Sequence, residues 1–318
     1  MTLRLVFFGT PQVAAEALDA LCAQPDFTVV SAVTNPDRPR GRSAAPQPPA
    51  VKLTAQRNGI PVHQPDRPLE IVDVLTEDRA DLGVVVAYGA ILPETVFGVP
   101  RLGSVNLHFS LLPRWRGAAP VQHAIRHGDS TTGVTTFLLN EGMDTGPIVS
   151  RHATQIGERE TAGELFSRLS ALGCRILPDA LRALADGCTP VPQDDALATY
   201  APKIGPADVA LDFSRPADEV ANLVRSANPR PGAYARFRDQ RIKIWRARPS
   251  AGLHDAPGTI RAASDLLVAC GNQTAIIVED LQLAGRRATS GAEFVRGQRI
   301  EAGETFEPDT DRSERGPH

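Results

Sequence analysis

The stretch LRLVFFGTPQVAAEALDAL, residues 3–21, changes its periodicity once, and that change decides the fold class. Residues 3–8 form an apolar run interrupted only by Arg4, the pattern of a strand buried on both faces. Gly9 ends the run and Thr10 stands where a helix cap is expected. Pro11 suits a first helical position, and Val13, Ala14, Ala17, Leu18 and Leu21 then recur at helical spacing. The expected unit is strand, tight turn, helix. The rhythm continues with a strand over Phe27–Val33, helices near 50–58 and 69–77, an apolar run at 83–87 and a strand over Ser104–His108. A helix at 121–127, a strand at 133–139 and a long helical stretch at 161–186 follow. Strands apolar on both faces need cover on both sides. Their alternation with helices predicts an α/β fold, a Rossmann-like, doubly wound, mostly parallel sheet.

That rhythm stops near residue 188. The segment CTPVPQDDALATYAPKIGP at 188–206 holds four prolines and no sustained period, so 189–206 reads as a linker. An expected helix over Ala217–Ala227 is followed by short apolar segments at 234–237, 242–247, 258–262, 266–269 and Thr274–Leu283. Their close spacing predicts a second, smaller OB-like β-barrel domain. The organisation expected is a catalytic domain over 1–188, the linker, a barrel domain over 207–308 and a disordered acidic tail over 309–318. A chain of 318 residues with 42% hydrophobic content is long enough to bury two such cores.

Composition narrows the classes further. Charged residues make up 22% of the chain, and no apolar run approaches the ~20 residues needed to span a bilayer, so no membrane association is expected. The opening MTLRLVFFGT lacks the regions of a signal peptide, which points to the cytoplasm. Cys22, Cys174, Cys188 and Cys270 are scattered without a C-x-x-C pair, so neither a disulfide framework nor a zinc site is indicated. His63, His123, His127 and His152 suggest no common ligand set, and no metal is expected.

The net charge of −3 conceals an asymmetry: residues 1–202 carry −4, residues 203–300 carry +5 and residues 301–318 carry −4. Within 225–248, eight basic residues face one acid, Asp239, with Tyr234, Phe237 and Trp245 among them. Such a stretch is either a polyanion-binding surface or a solvated strand face. In 241–246, alternation places Arg241, Lys243 and Trp245 on one face and Ile242, Ile244 and Arg246 on the other. The loop at 34–49, with five prolines and Arg38, Arg40 and Arg42, is longer than a simple connector requires.

The turn after the first strand contains neither G-x-G-x-x-G nor a P-loop pattern, so neither a dinucleotide nor a nucleoside triphosphate is its obvious ligand. In Ser104–His108 the period of two sends Asn106 and His108 to one face. They fall at the strand end where doubly wound sheets bind ligands. An N-x-H triplet alone is usually an ordinary hydrogen-bonded pair. Two further features accompany it: SLLPRWRGAAP at 110–120 and the loop NEGMDTGP at 140–147.

An N-x-H strand, an S-L-L-P loop and a D-T-G loop in this order resemble the folate-dependent formyltransferase family. SLLPRWRGAAP, NPDRPRGR at 35–42, VVVAYGAILP at 84–93 and NPRPGAY at 228–234 are similar to its members acting on methionyl-tRNA. The resemblance covers residues 3–306. It implies that Asn106, His108 and Asp144 are catalytic, and that Ser110, Leu111, Leu112 and Pro113 contact folate. It also implies that the segment around Arg38, Arg40 and Arg42 meets the tRNA acceptor end. The basic strand residues Arg241, Lys243 and Arg246 are expected to track tRNA phosphates. The cosubstrate implied is 10-formyltetrahydrofolate and the acceptor initiator methionyl-tRNA, with no obligate protein partner and a monomeric chain. Phe109 replaces an expected small residue, which would reshape the folate pocket. Ser43-Ala44-Ala45-Pro46 replaces a lysine-rich continuation, which would weaken tRNA contact. Two other readings remain: a formyltransferase acting on a nucleotide-linked amino sugar, and a noncatalytic RNA-binding relative. The basic second domain and RWRGAAP favour tRNA, and the intact Asn, His and Asp set favours an enzyme.

Overall fold

The computed structural model describes residues 2–39, 45–262, 265–301 and 303–308. The chain forms two compact units. Unit 1 comprises Met1–Gly117, Thr132–Thr154 and Phe166–Ala201; unit 2 comprises Ala118–Thr131, Gln155–Leu165 and Pro202–His318. Unit 1 begins with β1 (Leu3–Gly9), α1 (Gln12–Cys22), β2 (Phe27–Val33) and a short ribbon of β3 (Arg38–Pro39) and β4 (Pro46–Gln47). It continues with α2 (Ala50–Arg57), β5 (Val62–His63), α3 (Val72–Asp78), β6 (Leu82–Val86), α4 (Glu94–Phe97) and β7 (Ser104–His108). After α5 (Pro120–Arg126), which belongs to unit 2, most of β8 (Thr131–Leu138), β9 (Ile148–Gln155) and α6 (Ala162–Ala185) falls in unit 1.

The unit 1 sheet runs β5-β2-β1-β6-β7-β8-β9. It is parallel from β5 to β7 and turns antiparallel between β7 and β8. β1 from Leu5 onward and all of β6 are buried, as expected of central strands covered on both faces. Val6 and Phe8 pack with Ile71, Leu75, Val96 and Phe97. α1 buries Val13, Ala14, Ala17, Leu18 and Leu21, the face expected from the sequence. At Gly9 a Cβ would lie 2.5 Å from the Ala14 Cβ and 2.9 Å from the Val86 carbonyl oxygen, so the close approach of strand, helix and neighbouring strand requires glycine. The start of α1 differs from expectation. Pro11 is the cap residue and the helix begins at Gln12. Thr10 does not cap it, because its hydroxyl donates instead to the Tyr88 carbonyl, 2.8 Å away, just past the end of β6.

In unit 2, α7 (Ala217–Ala227) precedes β10 (Ala233–Phe237), β11 (Gln240–Ser250), β12 (Ile260–Ala262), β13 (Leu266–Cys270) and β14 (Thr274–Leu283). β15 (Thr289–Ser290) and α8 (Gly291–Gln298) follow. The strands order as β10-β11-β14-β13-β12, with β15 on β14. Residues 304–307 then join the two sheet edges. Ile260 N donates to Glu304 O (2.8 Å) and Phe306 N to Gly258 O (2.9 Å), while Arg236 and Glu307 exchange two backbone bonds (2.8 and 3.0 Å). The result is a small closed sheet without long free edges. Phe306 is buried among Phe213, Phe237 and Phe294. α8 starts with a capping box in which Glu293 N donates to Ser290 Oγ and Ser290 N donates to Glu293 Oε2. Residues 309–318, expected as an acidic tail, lie outside the described residues.

Much of the segment expected as a linker is tied to unit 1. Val191 and Ile148 exchange two backbone hydrogen bonds, of 2.7 and 2.8 Å, and Thr199 and Ala201 bond the Arg116 backbone at 2.8 and 2.7 Å. A segment held only at intervals, with one 3-10 turn at Asp195–Leu197, needs no hydrophobic period. Among the described residues no helix is long and apolar enough to cross a membrane.

Candidate active site

β7 ends at His108 and pairs with β6 so that Val85 lies beside Asn106. Asn106 and Asp144 line one cavity of about 240 Å³, whose walls include Val85, Ile91, Leu92 and Met143. It lies past the carboxyl ends of parallel strands, where doubly wound sheets place ligands. Unit 2 holds a larger hollow of about 400 Å³, lined by Gln240, Arg286, Arg287 and Glu293. Glu293 is engaged in capping α8 there, so convergent chemistry rather than volume selects the site.

His108 is buried and its Nε2 lies 2.9 Å from the Trp115 carbonyl oxygen. A carbonyl only accepts, so Nε2 carries the proton and donates. That leaves Nδ1 facing Asp144 Oδ2 at 3.6 Å. A neutral ring presents a lone pair to the carboxylate, and an imidazolium presents an N–H. The carboxylate thus stands at the ring nitrogen that Trp115 leaves uncommitted. Asp144 Oδ2 also accepts from Gly117 N at 2.7 Å. Asp144 and Trp115 both have positive φ, 56° and 63°, a conformation that costs energy for residues with a Cβ and needs restraint. The Trp115 carbonyl holds one ring nitrogen of His108, and Asp144 sits at the other.

The S-L-L-P residues form a tightly bonded loop after β7. Ser110 and Leu112 are fully buried. Ser110 Oγ donates to Arg114 O (2.6 Å), Thr135 Oγ1 donates to Ser110 O (2.7 Å), and Arg151 donates to Leu112 O (3.1 Å). Ser110, Leu111, Leu112 and Pro113 build the loop that carries Trp115, and none lines the cavity of Asn106 and Asp144. That cavity is lined by Val85, Ala90, Ile91 and Leu92, by Asn106, and by residues 139–144. The run VVVAYGAILP, which carried the resemblance but gave no site residue, supplies part of this lining, and Ala87 and Gly89 take positive φ within it. Phe109 is not among the residues lining this cavity. Its ring packs at 5.0 Å on Phe166 of α6, because the strand period carries it to the core side of Leu107.

Arg38 is exposed on the β3–β4 ribbon, paired in register with Gln47. Arg40 and Arg42, with Ser43 and Ala44, lie outside the described residues. In unit 2, Arg241 lies over the Tyr234 ring (4.2 Å), and Lys243 Nζ donates to Pro231 O (2.7 Å) near Trp245. Arg246 departs from expectation. A register shift between Ile244 and Arg246 breaks the alternation, so Arg246 leaves the face of buried Ile242 and Ile244 and meets Glu164 and Asp280. Arg238 pairs with Glu304 and Arg248 with Glu279. Acids from distant parts of the sequence thus offset a basic excess that looked unopposed in the linear count. Among the described residues no group of three or more His, Cys, Asp or Glu could hold a metal ion.

Comparison with known proteins agrees with this geometry. Residues 3–181 match the model of a family described as formyl transferase, and residues 203–299 match formyl transferase, C-terminal domain. A methionyl-tRNA formyltransferase of Aromatoleum aromaticum is 46% identical over 310 residues, 96% of this chain and 97% of its own. Another, from Acidothermus cellulolyticus, is 42% identical over 325 residues, 96% of this chain and 100% of its own. Among solved structures, the sugar 3N-formyl transferase WlaRD has a TM-score of 0.66 at 15% identity, covering 90% of this chain and 100% of that one. An N-formyltransferase of Helicobacter canadensis has a TM-score of 0.66 at 17% identity, covering 87% and 99%. At such identities structural likeness speaks for fold alone. The two family models and the relatives matched along nearly their whole length decide the assignment: the chain belongs to the formyl transferase family, within its methionyl-tRNA formyltransferase branch.

Proposed function

We propose that the chain transfers the formyl group of 10-formyltetrahydrofolate to the α-amino group of methionyl-initiator tRNA, giving formylmethionyl-tRNA for translation initiation. The observation that supports this reading is that Asn106 and Asp144 line one largely apolar cavity, with His108 Nδ1 3.6 Å from the Asp144 carboxylate. Formyl transfer between two amines requires a neutral attacking nitrogen, stabilisation of a developing oxyanion, and a proton moved from the incoming to the departing nitrogen. A peptide α-amino group has a pKa of about 7.7–8.0, and esterification lowers it, so much of the nucleophile is already neutral. No covalent enzyme nucleophile is needed.

Asn106 donates to the formyl oxygen as the tetrahedral intermediate forms. Asp144 accepts the proton of the attacking amine and hands it to His108 Nδ1, the ring nitrogen not committed to Trp115. The imidazolium places positive charge beside the oxyanion and then supplies the proton to the departing folate nitrogen. The apolar walls Val85, Ile91, Leu92 and Met143 suit a flat heteroaromatic ring. Arg38, Arg40 and Arg42 are proposed to meet the acceptor end, and Arg241 and Lys243 the phosphates. Arg246 joins them only by leaving its carboxylate partners. Purified chain mixed with 10-formyltetrahydrofolate and methionyl-tRNA, with a nucleotide-linked amino sugar in parallel, should acylate the tRNA alone. Acylation of the sugar instead, or of neither amine, would overturn the proposal.

A further inference from the structure

Residues 190–201 hold no candidate for the chemistry, and their sequence reads as a connector. Within unit 1 they form a strap across the loops that bear the site. One end is fixed where Val191 pairs with Ile148, and the other where Thr199 and Ala201 bond the Arg116 backbone. Thr199 Oγ1 also accepts from Trp115 N at 2.9 Å. Between these ends, Gln193 Nε2 donates to Asp144 O (2.9 Å) and Gly146 O (2.8 Å), and its Oε1 accepts from Arg116 Nε (3.1 Å) and Nη2 (2.8 Å). The guanidinium has only donors and the carbonyls only acceptors, so chemistry fixes which way this amide points. Arg116 is itself buried, at 2% exposure.

We propose that Gln193 is the positioning residue of Asp144. Residue 144 sits at φ 56°, a conformation its Cβ disfavours and the surroundings must impose. Gln193 imposes it by gripping the 144 and 146 carbonyls from a buried arginine. The strap restrains the carboxylate as well. Gly117, whose N–H holds Asp144 Oδ2, has φ 121°, and a Cβ there would come 2.7 Å from Ala201 O. Glycine at 117 lets the strap close on the loop that fixes the acid. The 3.6 Å separation of Asp144 Oδ2 from His108 Nδ1 therefore depends on a residue that touches neither substrate. This inference rests on the reading of Asp144 as proton acceptor.

The test compares Gln193→Leu with Asp195→Ala, which removes an exposed carboxylate from Arg116 and leaves the Gln193 contacts. Gln193→Leu should lower kcat by up to about 10²-fold, the scale of a small misplacement of a reacting group, with both KM values within about twofold. Asp195→Ala should match the parent chain. The titration of His108, followed by NMR on labelled histidine without substrates, should move in Gln193→Leu and stay in place in Asp195→Ala. Gln193→Glu keeps a partner for Arg116 while losing both donors to the 144 and 146 carbonyls, and should repeat the loss if the leucine variant does not fold. Unchanged kcat, a purely KM effect, or an unmoved His108 titration in a folded variant would each overturn the inference. The NMR readout needs no transfer reaction, so a parent chain that fails to formylate methionyl-tRNA would sink the proposed function while leaving the positioning role separately decided.

Discussion

Replacing Asp144 with asparagine keeps the shape of the side chain and removes its basicity. The group is 14% exposed, accepts from Gly117 N at 2.7 Å and faces His108 Nδ1 at 3.6 Å. An asparagine can keep its oxygen on the Gly117 N–H, so the loop should hold. Exchanging a charge-assisted hydrogen bond for a neutral one costs about 1 kcal/mol. The other oxygen becomes an amide nitrogen with no lone pair for the amine proton. Loss of a general base lowers rates by about 10²–10⁴, which at about 1.36 kcal/mol per tenfold is roughly 2.7–5.4 kcal/mol in the barrier. The effect on rate should exceed the effect on stability. Single-turnover transfer to methionyl-tRNA at saturating folate, alongside a thermal melt, separates the two. The expected variant melts within a few degrees of the parent and transfers at least about a hundredfold more slowly. A folded variant that turns over within about threefold would refute the role assigned to this carboxylate.

Three further outcomes follow from the same structure. Asn106→Ala, which removes one donor to the oxyanion, should cost roughly 3 kcal/mol in the barrier with little change in melting, measured as kcat against the parent. Arg42→Ala should raise KM for charged tRNA more than for folate, and tRNA binding should weaken steeply with salt; equal effects on both substrates in steady-state kinetics would count against the acceptor-end assignment. Glu164 is held well below the ordinary carboxylate range, at about 2 against 4.5, by the Thr161 backbone N–H and hydroxyl and then by Arg246. A carboxyl depressed in the folded state stabilises above its ordinary pKa and loses that contribution as pH falls through its folded one. The melting difference between parent and Glu164→Gln should therefore be present near neutrality and close as pH drops from 4.5 towards 2. It should be small, since the side chain is 48% exposed. A difference that widens in acid would contradict this account.

Sequence reading succeeded where burial writes a period and failed where geometry is set by single hydrogen bonds. β7, α7 and β14 fall at their expected bounds, because alternating or helical apolar positions are what their cores bury. Asn106, His108 and Asp144 were legible as residue types in the N-x-H and D-T-G motifs; Asn106 and Asp144 line one cavity, and His108 lies 3.6 Å from Asp144. Gln193 was not legible. The strap that carries it is mostly exposed, with a single 3-10 turn at Asp195–Leu197, so it has no core face to betray its attachment. The internal bonding of the S-L-L-P loop was not legible either: Ser110 and Leu112 are fully buried, and the Ser110 Oγ bond to the Arg114 carbonyl follows from no period in the sequence. Arg246 was misplaced because strict alternation presumes an unbroken ladder, and β11 shifts register at that point.

The most direct measurement is a structure of the chain with a stable formyl-folate analogue and methionyl-tRNA. The account requires the pterin against Val85, Ile91, Leu92 and Met143. It also requires the Asn106 carboxamide about 3 Å from the formyl oxygen, with the methionyl nitrogen beside Asp144. A formyl group bound away from Asn106 and His108, or an Asp144 carboxylate turned from the amine with the reaction still proceeding, would contradict it.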